Sequence, residues 1–167
     1  MSLDFSKVEN NPVPLLKEKH DKNLAFVIYR NKNKNVVLYS GKLQADGTLH
    51  PSDPLDVYWI MFENNGHPRE ELNMIERNSA YGASVKPKDG APGKFEVQLT
   101  SLKDRTITLS VENGQVVGRG AINGVENCRL ERVFVSSTTS WGMPKVEFIE
   151  IHGFDESGKA VMEKKIP

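Results

Sequence analysis

The stretch that decides the fold runs from residue 94 to residue 135 and reads KFEVQLTSLKDRTITLSVENGQVVGRGAINGVENCRLERVFV. Apolar and polar residues alternate in residues 94–100 and again in 106–111, which predicts antiparallel strands with one buried and one solvated face. Asn113-Gly114 and Asn123-Gly124 provide the residues that tight hairpins need at positive φ. The stretch therefore predicts a meander of antiparallel strands.

The same pattern extends to both sides of this meander. Turn signals recur from residue 24 onward, and the segments between them are short and rich in Val, Ile, Phe, Tyr and Thr. Residues 24–29 are predicted to pair with residues 36–39, and the apolar run 56–62 is predicted to lie centrally in the sheet. The last strands are predicted over 144–151 and 159–166, with a β-bulge near Phe148 because the apolar pattern shifts phase there.

These elements predict a mainly β fold, which is a single antiparallel β-barrel or strongly curved sheet of about nine strands with one short helix. A two-sheet sandwich is the alternative. The helix is predicted over 69–77, with Pro68 at its first turn and a buried stripe of Leu72 and Ile75. Residues 1–23, rich in Pro, Asn and charges, are interpreted as an extended N-terminal arm, and residues 24–167 as one β domain.

Composition excludes several classes of protein. The 22 basic and 22 acidic residues cancel to a net charge of zero, which argues against nucleic-acid binding. No apolar run approaches the roughly 20 residues that span a bilayer, so no membrane partner is expected. The lone Cys128 excludes a disulfide framework. The start of the chain lacks a secretory pattern and therefore favours a soluble cytoplasmic protein, unless a signal peptide has been removed.

Motifs for metal, cofactor or nucleophilic chemistry are not found in the sequence. The four histidines are scattered without ligand spacing, so we predict no metal site. Cys128 has no recognisable histidine partner, and the glycines of residues 118–124 lead into a hairpin rather than a helix. Gly118 and Gly120 are interpreted as a bend, a bulge or a close backbone approach. We therefore assign no cofactor and no catalytic residue.

The densest cluster of aromatic, charged and amide side chains lies between residues 58 and 81. Rings beside a carboxylate, a guanidinium and an amide can form a small-ligand pocket. An ion pair that docks the helix, with core aromatic residues, is the alternative interpretation. The candidate ligand-binding residues are Tyr58, Trp59, Asn73, Glu76, Arg77 and Tyr81.

The stretches YRNKNKNVVLY (29–39), DGTLHPSDPLDVYWIMF (46–62), ELNMIERNSAYG (71–82) and PKVEFIEIHGFDESGKAVMEKKIP (144–167) carry a resemblance to a known family. The chain resembles domain of unknown function 4833 over about residues 24–167. The resemblance implies one domain and indicates the same 58–82 region. It implies no activity, cofactor or catalytic residue.

Two classes of function follow from these patterns. The first is a non-catalytic module that binds a small molecule or a peptide at the Tyr58–Trp59 strand and the predicted helix. The alternative is a hydrolase-like or isomerase-like enzyme with Glu76 as acid or base, and with Arg77 and Tyr81 positioning the substrate. A protein–protein interaction module is a third possibility. The sequence does not determine the oligomeric state.

Overall fold

A computed structural model describes residues 4–78 and 80–167. The helical segments are α1 (Val13–His20), a short 3-10 helix (Asp21–Asn23) and α2 (Met74–Arg77). The strands are β1 (Leu24–Arg30), β2 (Asn33–Gly41), β3 (Leu55–Ile60), β4 (Arg69–Glu71), β5 (Ala83–Pro87), β6 (Phe95–Leu99), β7 (Leu102–Glu112), β8 (Gln115–Ile122), β9 (Val125–Ser140), β10 (Met143–Phe154) and β11 (Ala160–Lys165). No described helix is long and apolar enough to cross a bilayer.

The strands form a strongly curled half-barrel, which confirms the mainly β fold with a strongly curved sheet. The main hydrogen-bonded path contains nine strands in the order β4-β3-β2-β1-β9-β8-β7-β6-β5, and β10 and β11 branch from it at β9. The predicted meander corresponds to β6 through β9, and β1 pairs with β2 as predicted. The path ends at β4 and β5, so β5 is an edge strand.

The long strand β9 lies between two groups of four strands, β1–β4 and β5–β8, which we call the two arms of the half-barrel. Arg129 pairs with β8 and with β10, whereas Val133 pairs with β1 and with β10. Since β10 occupies one edge of β9 from Arg129 to Ser140, β8 and β1 share the other edge in succession. The β1–β9 pairing is parallel, in contrast to the wholly antiparallel sheet that the sequence predicts. The two arms begin at successive positions along β9, and both contribute side chains to one apolar core.

Two apolar clusters stabilise the half-barrel. The inner cluster lies between the two arms and includes Phe26, Tyr39 and Leu109, all fully buried. At Gly118 side chains, rather than another backbone, approach closely, because a Cβ there would lie 3.1 Å from the Ile107 side chain and 3.2 Å from the Phe26 ring. The predicted bulge in β10 is confirmed by a register shift between Val146 and Phe148.

The outer cluster lies on the other face of β1, β2 and β3, where residues 4–23 cover the sheet. Phe5, Val13 and Leu16 are buried there against the strands. The Tyr29 hydroxyl donates a 2.9 Å hydrogen bond to the Val8 carbonyl. The segment that we expected to be extended contains helix α1, whose buried Leu16 provides an apolar contact that the helix needs.

The helix predicted over 69–77 is wrong in extent. Residues 69–71 form the edge strand β4, and the helix begins only at Met74. Asn73 is the reason, because a side-chain amide oxygen that accepts backbone N–H bonds favours a helix N-cap over a helix interior. The expected buried stripe is also wrong, since Leu72 is buried but Ile75 is 79% exposed.

Candidate functional site

The half-barrel does not close, and the gap between β3 and β5 is a cleft of about 540 Å³ that we call the mouth. Its base is apolar and is lined by Leu55 and Val57 of β3 together with Leu72, Val85 and Phe95. Leu72 and Phe95 belong to the inner cluster, and the other three pack against it. The mouth therefore opens directly onto the main core.

Two strand edges face this mouth. On the β3 side, β4 pairs only with Tyr58–Ile60, so among the described strands none covers residues 55–57 on this edge. On the β5 side, Gly82 and Lys88 direct their backbone bonds toward β6, to Thr100 and Lys94. Because backbone groups alternate in direction along a strand, those of Ala83 and Val85 point away from β6 and toward the mouth. Both edges thus offer backbone donors and acceptors.

The rim of the mouth carries charges of both signs that are largely paired with one another. Lys42 Nζ lies 2.5 Å from Asp53 Oδ2, and the Arg69 guanidinium donates two 3.0 Å bonds to Asp56. Arg69 Nε also donates to Glu71 at 2.8 Å, and this bond lowers the pKa of the Glu71 carboxyl. An ionic ligand would therefore compete with ion pairs that already exist.

The six side chains that the sequence predicts to bind a ligand do not all lie in the same place in the structure. Arg77 and Tyr81 line the mouth. The Arg77 Nε donates a 3.0 Å hydrogen bond to the Leu72 carbonyl, and one terminal nitrogen lies 4.0 Å from Glu71 Oε1. The guanidinium is thus held in place at the rim by backbone and by charge.

Trp59 and Tyr81 form an edge-to-face pair with ring centroids 5.0 Å apart. Both are buried, and the Tyr81 carbonyl accepts a 2.9 Å hydrogen bond from the Tyr39 hydroxyl. Burial raises the pKa of the Tyr81 phenol. Trp59 does not line the mouth. The pair supports the mouth from beneath, and only Tyr81 reaches its surface.

Tyr58 lies on the opposite face of β3, in the outer cluster. Its hydroxyl is 3.3 Å from Ser40 Oγ, and the Arg69 guanidinium stacks 3.8 Å above its ring. Successive strand residues point to opposite faces, so Tyr58 and Trp59 cannot face the same cavity. The structure therefore does not bring Tyr58 to the mouth.

Asn73 and Glu76 bond to each other's backbone in a capping box. Asn73 Oδ1 accepts from the Glu76 amide at 2.8 Å, and Glu76 Oε1 accepts from the Asn73 amide at 2.9 Å. Neither residue lines the mouth. The Asn-x-x-Glu spacing of a capping box is visible in the sequence, and it is the signal that would have assigned these two residues to the helix start.

Cys128 and His152, which do not line the mouth, are each held by a local hydrogen bond. The buried Cys128 thiol donates to the Val125 carbonyl at 3.3 Å, and burial raises its pKa. His152 bonds to Glu150 at 2.9 Å, and its pKa is lowered chiefly by burial. Within residues 4–78 and 80–167, no group of three or more His, Cys, Asp or Glu is placed to hold a metal ion.

The fold and the mouth define a single β half-barrel with an open lateral cleft. The chain matches the family model described as domain of unknown function (DUF4833) over residues 26–164, and it therefore belongs to this family. No curated protein and no solved structure matches the chain. The family match confirms the resemblance of the four sequence stretches and brings no activity with it.

Proposed function

We propose that this protein is a non-catalytic binding domain whose ligand is an extended peptide segment held in the mouth. This proposal rests on one observation: two strand edges, at residues 55–57 and at β5, lie on opposite sides of one cleft. A strand edge presents a row of backbone donors and acceptors that pairs readily with another chain. Addition of a peptide strand to such an edge is a recurrent mode of recognition.

The base of the mouth suits alternate side chains of an added strand. Residues i and i+2 of a bound segment would point toward Val57 and Val85, and the residues between them would point to solvent. Apolar residues at every second position would therefore bury surface against the inner cluster. A peptide of three to five alternating residues matches the length of the free edges.

Arg77 supports a polar contact at one end of the bound segment. Its Nε is held by the Leu72 carbonyl, which leaves the terminal nitrogens near Glu71 and at the surface of the mouth. A guanidinium fixed in this way can donate to a peptide carbonyl or carboxylate at little further entropic cost. Met74 and Ile75, which precede Arg77 in α2, are largely exposed.

Acid–base catalysis by Glu76 has less support than binding. Its carboxylate accepts the Asn73 amide and lies outside the lining of the mouth. A general acid or base must reach the reacting atoms within hydrogen-bond distance. Glu76 would first have to give up the capping box.

The test is selection of peptides from a phage-displayed library of random dodecamers on the immobilised protein. We expect enriched peptides with alternating apolar residues, which bind the Val85→Pro variant at least about tenfold more weakly because it loses the amide that faces the mouth. Proline is tolerated where an edge-strand amide points outward, so the variant should fold.

Lys159→Ala, at the exposed turn before β11, is the surface control and should bind the selected peptides like the wild type. Circular dichroism melting of each variant checks the fold. Arg77→Ala should weaken peptide binding and should leave the melting temperature close to that of the wild type. The proposal is wrong if the enriched peptides bind Val85→Pro and Arg77→Ala as tightly as the wild type, or if no peptide is enriched.

A further inference from the structure

A second cavity of about 490 Å³ shares Tyr81 with the mouth but opens elsewhere, where β1, β9, β10 and β11 meet the β6–β7 turn. We call it the bay. Its apolar wall includes Ile28, Val135 and Ile149, together with the Tyr81 ring. A volume of this size matches the pockets that hold small organic molecules.

A single cross-strand row explains the chemistry of the bay. Arg30 pairs with Val135, Val135 with Ile149, and Ile149 with Lys165. Residues in register on neighbouring strands point to the same face of a sheet. The row therefore places two apolar side chains in the middle of the inner face and one cation at each end.

The cations of the bay have few anionic partners. Arg30 and Lys145 form no ion pair with any described residue, and Lys165 Nζ contacts Asp104 at 2.8 Å. No aspartate or glutamate side chain is among the residues that line the bay. The Arg30 guanidinium lies 6.0 Å from the centroid of the Tyr81 ring. The bay thus combines an apolar wall with two cations, Arg30 and Lys145, that form no ion pair with described residues, whereas Lys165 is paired with Asp104.

The β6–β7 turn contributes an unsatisfied hydroxyl. Ser101 lines the bay, and its Oγ is buried without a hydrogen-bond partner among the described residues. Buried polar atoms are nearly always paired, because an unpaired one costs about 1–3 kcal/mol. Because this Oγ has almost no accessible surface, it would donate to a ligand oxygen only after the Ser101 side chain rotates toward the bay.

We propose that the bay binds a small carboxylic acid with a hydrocarbon body. The hydrocarbon lies on Ile28, Val135 and Ile149, and the carboxylate lies near Arg30 and Lys145. This site is separate from the peptide site in the mouth, and either proposal can fail without the other.

The experiment is an NMR titration of the protein with octanoate, followed on methyl resonances. We expect saturable shifts at the methyl groups of Ile28, Val135 and Ile149. Octan-1-ol and octylammonium carry the same hydrocarbon without the negative charge, and we expect each to bind at least about tenfold more weakly.

Variants separate charge recognition from nonspecific apolar binding. Lys145 is exposed, so the Lys145→Met variant should fold. It should weaken octanoate binding severalfold, and the single variant Arg30→Met should weaken octanoate binding more than Lys145→Met does. Lys159→Met is the matched control and should leave binding unchanged. The proposal is overturned if octanoate shifts no bay methyl at millimolar concentration, if octan-1-ol binds equally well, or if Lys145→Met binds octanoate like Lys159→Met.

Discussion

Arg105 shows how one side chain ties together segments that are distant in the sequence. Only 12% of it is exposed, and both terminal nitrogens bond to the Glu163 carboxylate at 2.7 Å. It also donates to the Ala121 carbonyl and to Asp104. Strands β7, β8 and β11 are thereby connected through one guanidinium, and Asp104 also holds Lys165 at the bay.

Asp104 makes this cluster sensitive to acid. Its hydrogen bond from Arg105 lowers the pKa of the carboxyl from 3.8 to about 2. A depressed carboxyl pKa stabilises the folded state fully above the unfolded-state pKa, and the contribution is lost as pH falls through the folded-state value. The Asp104 contribution is therefore fully present above about pH 4, and most of it is lost as pH falls from about 4 to about 2.

We predict that Asp104→Asn lowers the free energy of unfolding at pH 6 by less than about 1 kcal/mol, because the carboxylate is partly exposed. The difference from the wild type should vanish toward pH 2. Urea unfolding at both pH values measures it. Asp89→Asn, which changes an exposed aspartate without an ion pair to described residues, is the control. An Asp104→Asn deficit that is the same at pH 6 and pH 2 would contradict the role of the charge.

At the same scale, the sequence indicated residue types better than their directions. Arg77 and Tyr81 lie at the mouth, whereas Tyr58 faces the outer cluster and Asn73 and Glu76 cap α2. A strand over the apolar run 56–62 already implied that Tyr58 and Trp59 diverge, because successive residues of a strand point to opposite faces. Ligand binding by these residues stays a prediction.

At the scale of elements, the pairing of β9 with β10 depends on irregular positions. The register shifts between His152 and Gly153, opposite the point where β8 and β1 exchange places on β9. A Cβ at Gly153 would lie 2.2 Å from the Arg129 carbonyl oxygen and 2.7 Å from the Ile122 side chain. Only glycine permits this approach of two backbones.

We predict that Gly153→Ala lowers the free energy of unfolding by roughly 2–4 kcal/mol, because backbone must move to admit the methyl group. Thermal and urea denaturation measure the loss. Gly120→Ala is the graded comparison, since its nearest contact would be the Thr106 carbonyl oxygen at 3.2 Å. Its loss should be smaller. Equal losses for both variants would show that the short contact at Gly153 is not decisive.

Strands with strong local signals were the most predictable elements. Alternation in β6 and the Asn-Gly turns at both ends of β8 match the structure, with positive φ at Asn113 and Asn123. The segment 69–77 was misread because helix formers such as Arg and Glu also occupy the edge strand β4. There the Arg69 bonds to Asp56 and Glu71 outweigh a weak helix preference.

At the scale of the whole molecule, residues 4–23 complete the outer cluster. Leu16 is buried at 3% exposure and packs with the outer face of the sheet, whereas its neighbour Leu15 is only partly buried. Without this cover, large apolar residues of β1, β2 and β3 would face solvent. The segment is therefore expected to unfold together with the sheet.

We predict that Leu16→Ala lowers the free energy of unfolding by about 2–4 kcal/mol and keeps a single transition, because it opens a cavity in the outer cluster. Leu15→Ala, one residue away in the same helix, should cost clearly less. Denaturation followed by both circular dichroism and tryptophan fluorescence measures the change. If the two leucines cost the same, or if Leu16→Ala loses only local helical signal, residues 4–23 do not fold with the sheet.

The sequence by itself determined the short strands, the hairpin turns, the mainly β class and the family, because each depends on alternation and turn chemistry between near neighbours in the chain. Only the tertiary structure decided the parallel pairing of β1 with β9, the succession of β8 and β1 on one edge, and the two cavities. The β1–β9 pairing joins segments about a hundred residues apart, and the mouth joins β3 to β5, which lie about thirty residues apart. An alternating pattern shows which face of a strand is buried, but it does not specify the segment that buries it.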